Sequence, residues 1–287
     1  MDIFTVLIYQ PIYNLLVVFY RLFGNDLGLA IIAIAILTRL ILLPLTIRQT
    51  KMAENSREFN VKIKELKEKH KDDKDKQTAE MGKLQAQYLP GQLNGCFALI
   101  VQLVIIINIY NVVSNLFSDS GLTTFNSIAY SFVPQFEAGA AINGNFLGIV
   151  NLQTVGNTLS SNFAQFWPYL VLALLAGAGQ YFSSKILMGM HTKKQDIEST
   201  KDAEKGKKSK KSKKIEIKEE AKPADFGEIM ERSNRQTMVI FSGLLVFMSL
   251  TLPAGLSLYW TVQSGLVIIQ QILLERYELW NQRKLAN

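Results

Sequence analysis

Apolar and polar positions fall into long separate blocks along this chain. Leu27 to Ile47 holds one charged residue, Leu93 to Ser118 and Phe166 to Ser184 hold none, and Met238 to Leu274 runs 37 residues without a charge. Helices in a soluble core return a polar face every 3.6 residues, which these blocks do not. A helix needs ~20 residues, at 1.5 Å each, to cross a hydrocarbon layer of ~30 Å. The last block would be roughly 55 Å long as one helix, and Pro253 with Gly255 divides it. The pattern predicts an all-α integral membrane protein with five transmembrane helices over residues 27–47, 93–116, 166–188, 237–252 and 253–274. The fourth is short, so it should thin the bilayer or tilt its neighbours.

The segments between the spans differ in kind. In residues 1–26, Ile12, Leu15, Leu16, Phe19, Leu22 and Phe23 form a stripe at helical spacing, interrupted by Gln10, Asn14 and Arg21. That predicts an amphipathic helix lying on the outer leaflet, with a sixth span as the other reading. In residues 48–92, Phe59, Ile63 and Leu66 repeat at helical spacing, as do Met81, Leu84 and Tyr88, and the polar run Lys71 to Lys76 separates the two stripes. A helical hairpin is expected there, with its apolar stripe on the membrane or on a partner. Residues 189–236 contain the lysine run 205–214, expected to be disordered and suited to anionic lipid or to ribosomal RNA phosphates. No aromatic residue interrupts those lysines, so no specific nucleic-acid sequence should be read.

Charge sets the orientation. Of 31 Lys and Arg residues, 11 lie between Arg48 and Lys83 and 15 between Lys185 and Arg235, whereas residues 117–165 have none. By the positive-inside rule both basic loops are cytoplasmic and 117–165 is extracytoplasmic. Five spans then put the N-terminus outside and the 275–287 tail, with Arg276, Arg283 and Lys284, in the cytoplasm.

Composition also excludes chemistry. The single cysteine, Cys96, allows no intramolecular disulfide and no zinc cluster. Both histidines, His70 and His191, fall in charged loops, so no histidine base stands beside a serine within a span. No phosphate-binding glycine loop is present. Neither an enzymatic role nor a cofactor is expected.

One charge is out of place. Arg39 is in the middle of the first span, where an arginine costs ~2.5 to 3.5 kcal/mol even on lenient insertion scales. Snorkelling could cover part of the roughly 13 Å of helix to Arg48. No Asp or Glu lies in any predicted span to pair with it. The alternative is a hydrated cavity open to the cytoplasm. Gln102, Gln180 and Gln263, in the second, third and fifth spans, could line that cavity, or each could join helices.

Several motifs carry a resemblance. They are Gly28-Leu-Ala-Ile-Ile32 with Thr38-Arg-Leu-Ile-Leu-Leu-Pro-Leu-Thr46, Asn94-Gly-Cys-Phe97 entering Ile100-Val-Gln-Leu103, and Leu252-Pro-Ala-Gly-Leu-Ser-Leu-Tyr-Trp260 with Gln270-Gln271. Together with Gln10 to Leu16 and Phe146 to Leu152, and in this order, they resemble the YidC, Oxa and Alb family of membrane protein insertases. The resemblance implies a bacterial inner-membrane protein with a hydrophilic groove open to the cytoplasm and closed to the outside. In that groove Arg39 would be the central charge and Gln102 a lining residue, and Tyr259 would lie on the fifth-span face that meets substrate helices. Implied partners are nascent membrane proteins and membrane lipids, with the ribosome and the Sec translocon as further candidates and a monomer as the working unit. The chain departs from the family in its displaced proline, Pro90, in Gln263-Ser264 where serine-asparagine is common, and in having no counterpart of the large periplasmic domain of some members.

The expected function is insertion and chaperoning of nascent membrane proteins, driven by hydrophobic partitioning and membrane potential. Two other readings remain at this level. One is a small anion transporter or channel built on Arg39, and the other is an assembly factor that contacts clients without inserting them.

Overall fold

A computed structural model describes residues 5–70, 73–118, 121–137, 140, 142–205 and 226–286. Seven α-helices dominate: α1 (Gln10–Leu22), α2 (Leu27–Lys69), α3 (Lys74–Leu116), α4 (Gly121–Ile128), α5 (Phe163–Lys205), α6 (Phe226–Thr251) and α7 (Ala254–Ala286). A small antiparallel hairpin, β1 (Asn145–Phe146) and β2 (Val150–Asn151), is an exception to the all-α expectation, with Asn145 opposite Asn151 and Phe146 opposite Val150. Three helical segments are long and apolar enough to cross a membrane: Thr5–Leu22, Leu27–Ile47 and Ala254–Tyr277. Ile100–Leu116 and Arg235–Thr251 are shorter apolar helical stretches. The chain is thus a largely helical membrane protein.

The helices outrun the predicted spans. α2, α3 and α5 each contain 43 residues, roughly 65 Å, about twice a bilayer's hydrocarbon thickness. The first apolar block and the first arm of the hairpin form one helix, because no glycine or proline between Leu45 and Lys69 interrupts it. Pro44 lies inside α2 without ending it. The break comes near the predicted polar run. His70 closes α2, and Asp73 caps α3 by accepting a hydrogen bond from the Lys76 amide at 3.0 Å. Across this turn His70 Nε2 stands 3.2 Å from a Glu80 carboxylate oxygen. Asp26 starts α2 in the same way, accepting from the Leu29 amide at 2.9 Å. The lysine run, 205–214, falls almost entirely outside the described residues; of it only Lys205, the last residue of α5, has a described backbone.

The buried apolar core occupies one end of the bundle. It is built from Tyr13 and Val17 of α1, Leu27 to Ala35 of α2, Ile109 to Leu116 of α3 and Leu256 to Trp260 of α7. This end, the outer end, lies away from the basic halves of α2 and α5. Residues between α3 and α5 fold over it as a cap. Phe125 of α4 stacks on Tyr13 with ring centroids 3.9 Å apart. Asn14 is almost wholly buried and fully engaged: its amide donates to Gln10 O and Ile128 O, and its Oδ1 accepts from the Tyr130 amide at 2.7 Å. Tyr9 OH accepts from Asn115 at the end of α3, and Tyr20 OH accepts from the Asn143 amide. α1 is therefore held against the outer end of the bundle at both of its ends.

The cap also closes over α7. Pro253 ends α6 and pairs with Val155 in an isolated bridge, and the first free amides of α7, on Ala254 and Gly255, donate to Thr154 O and Leu152 O at 3.0 and 2.9 Å. Gly255 permits this close approach. A Cβ there would stand 3.3 to 3.4 Å from Ile31 of α2, Val113 of α3 and Leu152 O of the cap at once.

Candidate functional site

Directly inward of the apolar core, the helix faces turn polar. Gln263 is the hub. The two N–H groups of its Nε2 are shared among three acceptors, Ala35 O and Thr38 Oγ1 of α2, each at 3.0 Å, and Tyr259 OH, one turn earlier on its own helix, at 3.1 Å. Thr38 returns its hydroxyl to Ile34 O and Ala35 O at 2.8 and 3.0 Å, a back-bond common for threonine within apolar helices. Tyr259 is completely buried, and its hydroxyl is also within hydrogen-bonding reach of Thr38 and of Gln102 on α3. Three helices meet through this one phenol.

Arg39 adjoins the cluster, close enough for its guanidinium to interact electrostatically with Tyr259 OH. The residue is half-buried, and its Nε is shielded from solvent with no hydrogen-bond partner among the described residues. No ion pair to Arg39 occurs among the described residues. A guanidinium has five N–H donors, so one that is sunk among helices and short of acceptors is complementary to anionic or carbonyl oxygens.

Four of the five residues picked out in the sequence, Arg39, Gln102, Tyr259 and Gln263, come together here. The fifth, Gln180, has no hydrogen bond to them among the described residues and donates to Ser184 Oγ of its own helix at 3.2 Å. Thr38 completes the cluster, and sequence reasoning passed over it because a threonine beside an arginine has no distinctive spacing. Gln270 and Gln271 were also missed as site residues. Gln270 follows Gln263 by seven positions, so it lies on nearly the same face of α7, ~10 Å further inward. Both glutamines are buried. Among the described residues neither polar atom of the Gln270 amide has a partner, nor does Oε1 of Gln271. The period of seven from Gln263 was the available signal.

The bundle achieves this close contact through small residues. A Cβ on Gly177 of α5 would press on Val246 of α6, and one on Gly179 would come 2.7 Å from the Ser264 Cβ of α7, beside the hub glutamine. Among the described residues no group of three or more His, Cys, Asp or Glu side chains could hold a metal ion.

Comparison with known proteins agrees with the residue-level resemblance. The family model described as 60Kd inner membrane protein matches residues 18–281. The Membrane protein insertase YidC of Clostridium perfringens is 26% identical over 271 residues, 94% of this chain and 87% of that protein. Inner membrane ALBINO3-like protein 2, chloroplastic, of Chlamydomonas reinhardtii is 25% identical over 249 residues, 86% of this chain and 49% of that protein. The Membrane protein insertase YidC of Caulobacter vibrioides is 32% identical over 105 residues, 37% of this chain and 17% of that one. This chain therefore spans about half of the algal relative and a smaller part of the Caulobacter one. With a family match over most of its length, the chain belongs to the 60Kd inner membrane protein family, the YidC, Oxa and Alb group that its own motifs resemble.

Proposed function

We propose that this protein is a membrane insertase and chaperone of the bacterial inner membrane. It takes nascent membrane proteins through a hydrated groove formed by α2, α3 and α7, with Arg39, Gln102, Tyr259 and Gln263 as its lining and Gln180 at its edge. The observation that carries this reading is the half-buried guanidinium of Arg39, whose Nε is shielded and unpaired among the described residues, next to a polar cluster and beneath the buried apolar core. Polar backbone and charges lose hydration when they enter lipid, at several kcal/mol for each unsatisfied group. A water-filled recess reaching halfway across shortens that path, while the client's apolar helix partitions sideways into lipid. The fixed positive charge attracts acidic residues in the passing segment. Clients with one or two spans and short acidic or neutral outer tails suit this device best. No catalytic step is involved.

The proposed topology has five spans, an external N-terminus and a cytoplasmic C-terminus, with residues 117–165 outside. Nascent chains and lipids are its primary partners, and it works as a monomer. The ribosome and the Sec translocon are partners the basic loops would suit.

A photo-crosslinker placed at Gln102 or Gln263 should capture ribosome-stalled nascent membrane proteins, and one at the exposed, lipid-facing Phe247 should capture them far less. Equal capture at all three positions would remove the groove. The unpaired guanidinium would equally suit a small anion, and that reading requires saturable anion flux in proteoliposomes, which an insertase does not produce.

A further inference from the structure

The hairpin β1–β2 has a turn that does not suit water. Ile149 N donates to Phe146 O at 3.2 Å, so Leu147 and Gly148 are the two central residues of a tight turn, and both have positive φ, 53° and 69°. Hairpin turns with both central residues left-handed favour Asn-Gly or Asp-Gly, because asparagine, aspartate and glycine tolerate that backbone and the tip faces solvent. Here the first position is a leucine, whose side chain is strained at positive φ. It is also 75% exposed, and Ile149 beside it is 56% exposed. A strained backbone and an exposed apolar pair at one tip are both unfavourable in water. Lipid would remove the second cost.

The surroundings fix the depth of this tip. The Phe146 ring fills the space that a Cβ on Gly28 would need, at the outer start of α2. The Asn151 amide donates to Tyr169 OH of α5 at 3.1 Å, and Leu152 O accepts from Gly255 of α7. The hairpin is thereby pinned across the outer ends of three helices, level with the first turns of α5. On α5, Phe163, Trp167, Val171 and Leu174 are exposed at helical spacing, so the first turns of α5 carry an exposed apolar stripe, and its tryptophan is of the type that marks a membrane interface. Residues 117–165 carry no Lys or Arg, and the hairpin itself has no charged residue to keep it in water.

We propose that the Leu147–Gly148–Ile149 tip is a membrane finger inserted into the outer leaflet, with the interfacial region of the lipid as its partner. It anchors the cap against the bilayer and sets how deep the outer end of α2, α5 and α7 sits. This rests on the membrane reading of the chain and not on the insertase activity, so either can fail alone.

The test uses full-length protein with Cys96→Ala in phosphatidylethanolamine and phosphatidylglycerol vesicles. A single cysteine at position 147, labelled with an environment-sensitive fluorophore, should show blue-shifted emission and quenching by lipids carrying a nitroxide near the headgroup end of the acyl chain. The same label at the exposed Glu137 should show neither. Emission at 147 matching that at 137 would overturn the finger. A second variant separates anchoring from folding. Leu147→Asn suits the positive φ, so in detergent the protein should melt at the same temperature or higher, while a label at position 149 loses at least half of its quenching in vesicles. A lower melting temperature in detergent would mean that Leu147 packs within the cap, and would also overturn the proposal.

Discussion

The two ends of the helix bundle differ in how completely their buried polar groups are paired, although the Gln263 cluster toward the inner end is itself well bonded. At the outer end each polar side chain that ties the cap down has its partners. Asn14 satisfies three hydrogen bonds, Gln10 reaches Ile128 O at 2.8 Å, and Tyr9, Tyr20 and Tyr169 each accept from an amide. One exception is the Ser249 hydroxyl, buried without a partner. At the inner end, Arg39 Nε, both amide atoms of Gln270 and Oε1 of Gln271 are all shielded and unpaired among the described residues. Buried polar groups are normally paired, and each one left alone costs ~1–3 kcal/mol. The outer end is built for stability. The inner end forgoes some stability, as the proposed groove would require.

Mutations at the two ends should therefore differ in sign as well as size. The largest loss is expected from Tyr13→Ala, which removes a fully buried ring stacked on Phe125, and should destabilise the protein by about 3–5 kcal/mol in detergent denaturation. Asn14→Leu should cost about 1–3 kcal/mol, since it strands the Tyr130 amide, and proteolysis of the 117–165 loop should accelerate in step. Gln270→Leu should act the other way: thermal denaturation should show no loss and a gain of up to about 1 kcal/mol, because it replaces an unpaired buried amide with an apolar side chain of similar volume. Insertion yield in reconstituted vesicles should fall in the same variant. Were Gln270→Leu to destabilise as Asn14→Leu does, the contrast between the ends would be lost.

Much of this contrast is legible in the sequence. Arg39 stands out because a charge in an apolar block needs no partner to be conspicuous. Pro253 and the polar run at residues 71–76 fall at or near the observed helix ends, since proline and clustered polar residues act locally. The residues that join distant segments were less visible. Asn14 looks like a polar interruption in an amphipathic stripe, and its role depends on Ile128 and Tyr130, more than a hundred residues away. The continuity of α2 through its apolar and polar halves was also missed, because the change in hydrophobic pattern at Ile47 changes the environment and not the backbone. Gln180 illustrates the converse. In sequence it resembles Gln102 and Gln263, yet with Ser184 one turn away it finds a partner at home.

The central claim is that the unpaired charge of Arg39 serves the client and not the fold. Its most direct test is Arg39→Ala in a strain depleted of the chromosomal insertase, measuring both membrane-integrated protein and insertion of a client with an acidic outer tail. The variant should accumulate in the membrane at the wild-type level, and insertion of that client should fall by about tenfold, the effect of losing ~1.4 kcal/mol, near the low end of the attraction between close charges in a hydrated site. Unchanged insertion with the variant at normal abundance would contradict the claim, as would loss of the protein itself from the membrane.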